Sequence, residues 1–310
     1  MLAAALYWRA DPLAAPRPQT PLLTADISQV DRLRLEGPVA ADKRSAPAVE
    51  LVKRDGKWRL PGYFDAPADA AKVEDLLKRV REATRGLPVA TSRDAMTRLR
   101  VADDAYERRL SLMQGEKTLA TIYLGTSSGA RKAHARAATD SVVYAVSLAP
   151  FEVRTSAPEW LDVHLLKPDM GALTEITIRR ADGKTVVLRR AERKEGEQSV
   201  TIWRGDGELV ADENRARALV DAITNLRVDA VLGTEPQPQW RLEAAALTIT
   251  LTSNQGQSVH WTLAKLPNSD SHVVKASNQA WYLEVKSWNA RPLLDAVAGE
   301  KTHRHGPAKS

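Results

Sequence analysis

The sequence contains no cysteine among its 310 residues, so disulfide bonds, thiolate nucleophiles and cysteine-ligated zinc are excluded. Histidine is sparse as well, with six residues scattered along the chain. None of them has a partner at the spacing of a metal-binding motif. We also expect the GxSxG spacing of a serine-hydrolase nucleophile elbow to be absent. From its own residues, the sequence therefore predicts no catalytic residue, no cofactor site and no metal site.

Charge of one sign is not concentrated in any part of the chain. The net charge of +6 arises from 45 lysines and arginines mixed among 39 aspartates and glutamates. A nucleic-acid surface needs basic residues clustered on one face, so we expect no nucleic-acid partner. The contents of 43% hydrophobic and 27% charged residues are typical of a folded protein. The length allows two domains, each with its own core.

The sequence also lacks a hydrophobic run long enough to cross a membrane. Residues 2–8 are apolar and end in two aromatic residues before Arg9, whereas a spanning helix needs about 20 apolar residues. Residues 10–21 contain four prolines and predict a semi-rigid spacer. Two interpretations stay open, a frayed terminus or the last turns of an incomplete membrane anchor. For residues 1–22 we predict a truncated anchor stub and a proline-rich spacer.

What the chain does contain is a strand-then-helix pattern that occurs twice. Residues 48–60 alternate between apolar and polar types, and residues 69–84 then place apolar residues at helical spacing. The same order returns in residues 185–204 and 212–227. Three apolar positions recur at a constant separation of 143 residues: Leu76, Val80 and Leu99 recur as Leu219, Ile223 and Leu242.

This pattern predicts an α+β fold made of two tandem repeats. Each repeat is expected to be a mostly antiparallel sheet of about five strands with one long helix packed on a face. We place the first repeat at residues 23–166, the second at 167–300, and a disordered basic tail at 301–310. The predicted buried helix positions are Val73, Leu76, Leu77 and Val80 in the first repeat, and Ala216, Leu219, Val220, Ile223 and Leu226 in the second.

One predicted loop, residues 125–140, is the candidate for anion binding. It carries four basic residues near two glycines, whose backbone N–H groups are able to contact an anion. The four basic residues are Arg131, Lys132, His134 and Arg136. The glycine spacing is one residue short of a phosphate-binding loop, so a basic hairpin is the structural alternative. The adjacent carboxylates Asp103 and Asp104 would act as an acid/base pair only if their environment separated their pKa values.

Several segments of the first repeat match a known family pattern. They are Gly56-Lys57-Trp58 after a strand, Ala66-Pro-Ala-Asp69 entering a helix, Val73-Glu-Asp-Leu-Leu77 within it, Val143-Tyr144, and Trp160-Leu161-Asp162. Together they resemble the domain of unknown function 4340 family, and the resemblance extends from about Leu23 to Leu294. The family has no catalytic residues that could be assigned to this chain.

The resemblance implies a bacterial protein with one N-terminal membrane helix and its remaining residues outside the cytoplasm, often encoded beside ABC-2-type permeases and gliding-motility-type auxiliary proteins. We therefore expect a non-enzymatic envelope accessory or scaffold protein. It would bind an ABC-2-type transporter component or its auxiliary protein, and would be held at the membrane by a helix that is incomplete in this chain. As given, the chain is expected to be soluble.

Two alternatives stay open, namely a soluble ligand-binding module and a hydrolase whose carboxylate site the sequence does not reveal. A deep pocket with convergent ionisable groups would favour an enzyme, and a shallow apolar patch would favour a protein partner.

Overall fold

A computed structural model describes residues 20–38, 47–196, 198–206 and 213–298 of the chain. The predicted anchor stub, except for its last residues from 20 onwards, and the predicted tail 301–310 lie outside these ranges. None of the described helices has the length and apolar character needed to cross a membrane.

The described residues are organised mainly as β-strands. In chain order the first thirteen are β1 (Thr20–Pro21), β2 (Arg32–Glu36), β3 (Val49–Arg54), β4 (Lys57–Leu60), β5 (Ala66–Pro67), β6 (Thr84–Arg85), β7 (Pro88–Ala90), β8 (Val101–Ala102), β9 (Ala105–Tyr106), β10 (Arg108–Gln114), β11 (Lys117–Gly129), β12 (Lys132–Ala137) and β13 (Val143–Val146). The remaining strands are β14 (Leu173–Arg180), β15 (Thr185–Glu195), β16 (Gln198–Asp206), β17 (Ala230–Gly233), β18 (Leu247–Ser253), β19 (Ser258–Lys265), β20 (His272–Ala276) and β21 (Tyr282–Val285). The described α-helices are α1 (Ala70–Glu82), α2 (Arg93–Arg98), α3 (Glu213–Thr224) and α4 (Ser287–Ala298).

The predicted α+β fold is wrong, because the protein is mostly β. Two large sheets of nine and eight strands replace the expected sheets of about five, and the longest described helix, α1, has 13 residues. The missed strands lie in segments interpreted as loops. β11 continues to Gly129, and β12 occupies much of the predicted loop 125–140. The buried apolar positions of β12 are all alanines, which have low β-propensity, so the strand does not stand out in the sequence.

The two large sheets have the same strand order. The first runs β5-β4-β3-β2-β10-β11-β12-β13-β7, and the second runs β16-β15-β14-β18-β19-β20-β21-β17. Apart from β5, numbering the strands within each sheet gives the order 3-2-1-5-6-7-8-4 in both. Helix α1 follows the third strand of the first sheet, and α3 follows the third strand of the second.

The chain divides into two compact units. The described residues of the first fall within Met1–Lys53 and Ala71–Thr155, and those of the second within Arg54–Ala70 and Ser156–Ser310. The early segment of the second unit is fixed by hydrogen bonds inside that unit. The Tyr63 hydroxyl accepts from the Val231 N–H at 2.8 Å, and Trp281 Nε1 donates to the Phe64 carbonyl at 2.9 Å.

The core of the first unit follows the strand alternation. Leu35, Leu110 and Ile122 lie side by side in register on β2, β10 and β11, and all three are fully buried. The side chains that sequence periodicity predicts for the buried face of α1, among them Leu76, are buried. This placement confirms the helical stripe.

The second unit buries one continuous hydrophobic cluster. Ile178 and Ile249 are opposite each other on β14 and β18, and they belong to the same cluster as Leu219 on α3 and Leu293 on α4. The predicted buried positions of α3, and Leu226 just beyond it, are buried. Helix α4 packs against α3. Residues of α4 and of the nearby end of the β19–β20 hairpin line a common cavity of this unit.

Candidate functional site

The four basic residues predicted to bind an anion lie on the β11–β12 hairpin. Arg131 occupies the turn with a left-handed backbone (φ 54°), and it is exposed together with Lys132. His134 lies on β12, where its Nδ1 is 2.9 Å from Thr126 Oγ1 and 3.0 Å from the Thr126 carbonyl oxygen. Its hydrogen-bonding capacity is therefore partly used within the hairpin.

Arg136 has a different environment from the other three, because it is only 5% exposed. Its guanidinium donates to the Val101 carbonyl at 2.9 Å, the Asp140 carbonyl at 3.1 Å and the Asp103 carboxylate at 2.5 Å. It also lies 4.7 Å from the centre of the Tyr123 ring. Partial burial of Asp103 opposes its ionisation, but the hydrogen bond and charge of Arg136 outweigh this effect and lower the pKa of the carboxyl. The structure thus joins Arg136 to Asp103 rather than to the other three basic residues.

The same hairpin carries Gly125-Thr-Ser-Ser-Gly129, which does have the Gly-x-Ser-x-Gly spacing of a serine-hydrolase nucleophile. In those enzymes the serine lies on a sharp turn between a strand and a helix. Ser127 instead lies within β11, opposite Ala133 of β12, and its hydroxyl donates to the Gly129 carbonyl at 3.1 Å. The expectation that this spacing is missing from the sequence is therefore wrong. The structural context of Ser127, however, is not that of a nucleophile elbow.

A groove in the second unit combines ionisable side chains with an exposed aromatic side chain. It consists of three adjoining cavities of about 520, 380 and 360 Å³, and we call it the α4 groove. Lys265 and Asp270 line both the first and the middle cavity, and Arg291 and Asp295 line both the middle and the last. The shared residues place the three cavities next to one another. The residues lining the groove are Arg241, Lys265, Leu266, Pro267, Asn268, Ser269, Asp270, His272, Ser287, Trp288, Arg291, Pro292, Leu294 and Asp295.

Regular structure positions both sides of the α4 groove. On one side, Lys265 ends β19 and His272 begins β20, and the two residues are paired in register. The turn between them is closed by a hydrogen bond from the Leu266 N–H to the Ser271 carbonyl at 3.0 Å. On the other side, Asp229 accepts hydrogen bonds from groups at the start of α4, at 2.8 and 2.9 Å. The middle and last cavities are therefore lined mainly by residues of strands and of α4, whereas the first cavity is lined mainly by the β19–β20 turn.

His272 is the buried ionisable residue of the middle cavity. It is 7% exposed, and its Nδ1 has no hydrogen-bond partner. Burial, and then the positive charge of Lys265, lower the pKa of His272 below the ordinary value of 6.5. The imidazole is therefore neutral at neutral pH.

Four charged side chains surround His272 in the middle cavity. Lys265 and Arg291 supply positive charge, and Asp270 and Asp295 supply negative charge. Within the described part of the chain, neither Lys265 nor Arg291 has a carboxylate within ion-pair distance. Two cations from separate elements thus line one cavity, and neither forms an ion pair with a described carboxylate.

Trp288 lies at the far end of the α4 groove and is 63% exposed. The Lys286 ammonium is 4.9 Å from the centre of its ring, within the range of a cation–π contact. A large aromatic side chain exposed beside a groove has an apolar face available for contact with another molecule. The α4 groove therefore combines an aromatic contact surface with a charged middle section.

A smaller cavity of about 250 Å³ lies elsewhere in the second unit, beside β18 and β19. Its lining is rich in apolar side chains, including Leu251 and Trp261. At its margin the Gln279 amide nitrogen donates to the Leu165 carbonyl, which fixes the orientation of the amide. The Gln279 Oε1 is then left buried without a hydrogen-bond donor. Across the described residues, no three His, Asp or Glu side chains are placed to hold a metal ion.

Sequence reasoning missed the α4 groove because its residues come from separate elements. Lys265, His272 and Arg291 are not clustered along the chain, whereas the four basic residues of the β11–β12 hairpin are. The available signal was Trp288, a large aromatic residue that lies off the buried stripe of α4 formed by Ala290, Leu293 and Val297.

A family model described as "Domain of unknown function (DUF4340)" matches residues 58–245, from β4 to the segment just before β18. Most of the α4 groove, from Lys265 onwards, lies beyond the matched range. No curated protein and no solved structure matches the chain.

Proposed function

The chain belongs to the DUF4340 family, and from that premise we propose that it is a non-enzymatic accessory protein that binds a protein partner through the α4 groove. The observation that carries this proposal is Trp288, which is 63% exposed at the end of a groove. Tryptophan is enriched among the residues that dominate protein interfaces, where its removal often costs about 2 kcal/mol or more.

The shape of the groove supports a polypeptide rather than a compact ligand. Its successive cavities share lining residues from Arg241 past His272 to Trp288, so a bound molecule that contacts both ends would have to span all three cavities. An extended chain covers about 3.3 Å per residue and presents side chains at regular intervals. A short extended or helical segment of a partner therefore fits this surface.

The partner we propose is an ABC-2-type transporter component or its auxiliary protein. The two units would then lie outside the cytoplasm, and an N-terminal membrane helix of the kind that the family resemblance implies would hold the protein at the membrane. This part of the proposal rests on the implications of the family resemblance and on the apolar N-terminal run.

Fractionation of cells that express the natural locus tests the membrane part. We expect association with membranes that resists carbonate extraction, because a spanning helix is not removed as a peripheral protein is. A product found only in the soluble fraction would contradict both the anchor and a partnership with a membrane transporter.

The partner proposal is tested by comparing captured proteins from native membranes. Trp288→Ala should reduce recovery of the transporter component about tenfold or more relative to wild type, because a hot-spot aromatic is removed. Phe151→Ala is the matched control, since Phe151 is also 63% exposed and lies outside the groove. Equal recovery by wild type and Trp288→Ala would sink the proposal that the groove binds the partner.

A second candidate function, a soluble ligand-binding module, is favoured by the cavity beside β18 and β19. Its volume of about 250 Å³ is slightly below the usual size of a small-molecule pocket, and its margin holds the unpartnered Gln279 Oε1. A small, largely apolar molecule with one hydrogen-bond donor would suit it. Indole is a suitable probe, and a saturable chemical-shift change at Trp261 and Gln279 would support this function; an unchanged spectrum would exclude indole-like ligands.

We also propose that the two sheets derive from a duplicated unit. The common strand order and the buried helical leucines Leu76 and Leu219 support this idea. An experimental structure in which these two leucines fail to coincide when the sheets are superposed would refute it.

A further inference from the structure

We propose that the middle cavity of the α4 groove is a carboxylate-binding subsite, in which Lys265 and Arg291 bind an acidic residue of the partner polypeptide. The inference rests on the proposed function, because it specifies the chemistry of the segment that the groove accepts.

Two cations from different elements converge on the middle cavity. Lys265 stands at the end of β19 and Arg291 on α4, and both line the same cavity of about 380 Å³. Neither has a carboxylate of the described residues within ion-pair distance. Arginine presents a planar fork of donors that fits a carboxylate, and lysine adds a compact point charge. Together they provide donors from two sides of one cavity.

His272 supports the same subsite without adding a third charge. It is more than nine-tenths buried in the wall of the cavity, and its Nδ1 has no partner. A buried wall has a lower dielectric constant than water, which strengthens the interaction between an entering carboxylate and the two cations. The neutral imidazole occupies this wall at neutral pH.

Asp270 and Asp295 indicate which kind of anion enters. The charges of the middle cavity, Lys265, Arg291, Asp270 and Asp295, sum to zero, so the cavity has no excess of positive charge with which to hold a free phosphate of two negative charges. A single side-chain carboxylate is placed by the rest of its chain, and the peptide N–H groups beside it can donate to Asp270 or Asp295. The subsite therefore favours a carboxylate carried on a polypeptide.

The ends of the groove agree with an acidic segment. Arg241 lines the first cavity, and Lys286 lies beside Trp288 at the other end. These two cations give the groove and its edge an excess of positive charge. An acidic residue in the middle and an apolar residue against Trp288 would satisfy both parts of the surface.

The test uses two small probes that differ only in charge. N-acetyl-aspartate methylamide carries one carboxylate in a peptide-like setting, and N-acetyl-asparagine methylamide is its neutral match. Each is titrated into the isotopically labelled 310-residue protein while the imidazole signals of His272 are followed by NMR over a pH series. The aspartate probe should bind saturably and raise the pKa of His272, because a nearby negative charge favours the imidazolium. The asparagine probe should bind at least about tenfold more weakly and leave that pKa unchanged.

Substitutions provide the second half of the test. Lys265→Gln and Arg291→Gln should each weaken binding of the aspartate probe about tenfold or more. Lys184→Gln and Arg217→Gln are the matched controls, because they remove exposed cations of the same unit outside the groove and should leave binding unchanged. Equal binding of the two probes, or unchanged binding by both groove variants, would overturn the inference. Inorganic phosphate binding more tightly than the aspartate probe would also overturn it, in favour of a free-anion site.

The outcome is separable from that of the proposed function. If Trp288→Ala loses the partner while Lys265→Gln and Arg291→Gln retain it fully, the groove binds a partner but the carboxylate assignment fails. If the aspartate probe binds as expected while Trp288→Ala retains the partner, the subsite exists but the proposed function fails.

Discussion

Arg136 belongs to a run of four basic residues in the sequence, but its place on β12 separates it from the others. Local spacing showed the cluster, yet it could not show that Tyr123, Asp103 and two backbone carbonyls would enclose this one guanidinium. Those partners come from other strands and turns, so only the tertiary structure identifies Arg136 as an internal connection.

We expect Arg136→Met to lower the free energy of unfolding by about 1–3 kcal/mol, because it leaves the Val101 and Asp140 carbonyls without their donor. Lys132→Met is the control on the same strand. Since Lys132 is exposed, its substitution should change stability by no more than about 0.5 kcal/mol. Urea denaturation of both variants measures the difference, and equal stability would show that Arg136 is not an internal connection.

His272 gives a prediction on pH at the same scale. Its pKa is lowered in the folded protein, so between the folded value and 6.5 the unfolded chain binds more protons than the native one. Stability should therefore fall as the pH drops through 6.5, and this loss should end below the folded pKa. His272→Gln should have a flatter dependence of unfolding free energy on pH over that window. Denaturant melts at several pH values test this, and an identical slope in both proteins would contradict it.

At the scale of elements, helical periodicity predicted more than strand alternation did. The stripes of α1 and α3 are correct at every position predicted, because repeated leucine, valine and isoleucine mark a buried face clearly. The strands β12 and β20 were missed. β12 presents alanines to the interior, and β20 is a short run between polar turns. Small or brief apolar patterns do not separate a strand from a loop in a single sequence.

The correct stripes lead to a stability prediction for the two helices. Leu76→Ala and Leu219→Ala should each cost about 2–5 kcal/mol, since both leucines are almost fully buried and truncation leaves a cavity. Leu87→Ala is a control, because Leu87 is 70% exposed and should tolerate the change within about 0.5 kcal/mol. Urea melts provide the measurement. A near-zero loss at Leu76 or Leu219 would mean that the helix face is not core.

At the scale of the whole molecule, the candidate site lies where separate parts of the second unit meet. Lys265 and His272 come from the β19–β20 hairpin. Arg291 and Trp288 come from α4, which follows the next strand, β21. The surface that these elements form together depends on their packing, which a sequence pattern does not show. The functional proposal therefore depends on the tertiary arrangement of the groove, together with the family to which the chain belongs.

The most direct test of the account is site-specific photo-cross-linking in cells of the natural host. A photoreactive phenylalanine derivative replaces Trp288 in one variant and Phe151 in the other, so that two equally exposed aromatic positions are compared. The account predicts a cross-link from position 288, but not from 151, to a transporter component or its auxiliary protein. No cross-linked protein at position 288, or the same products from both positions, would contradict the claim that the α4 groove binds the partner.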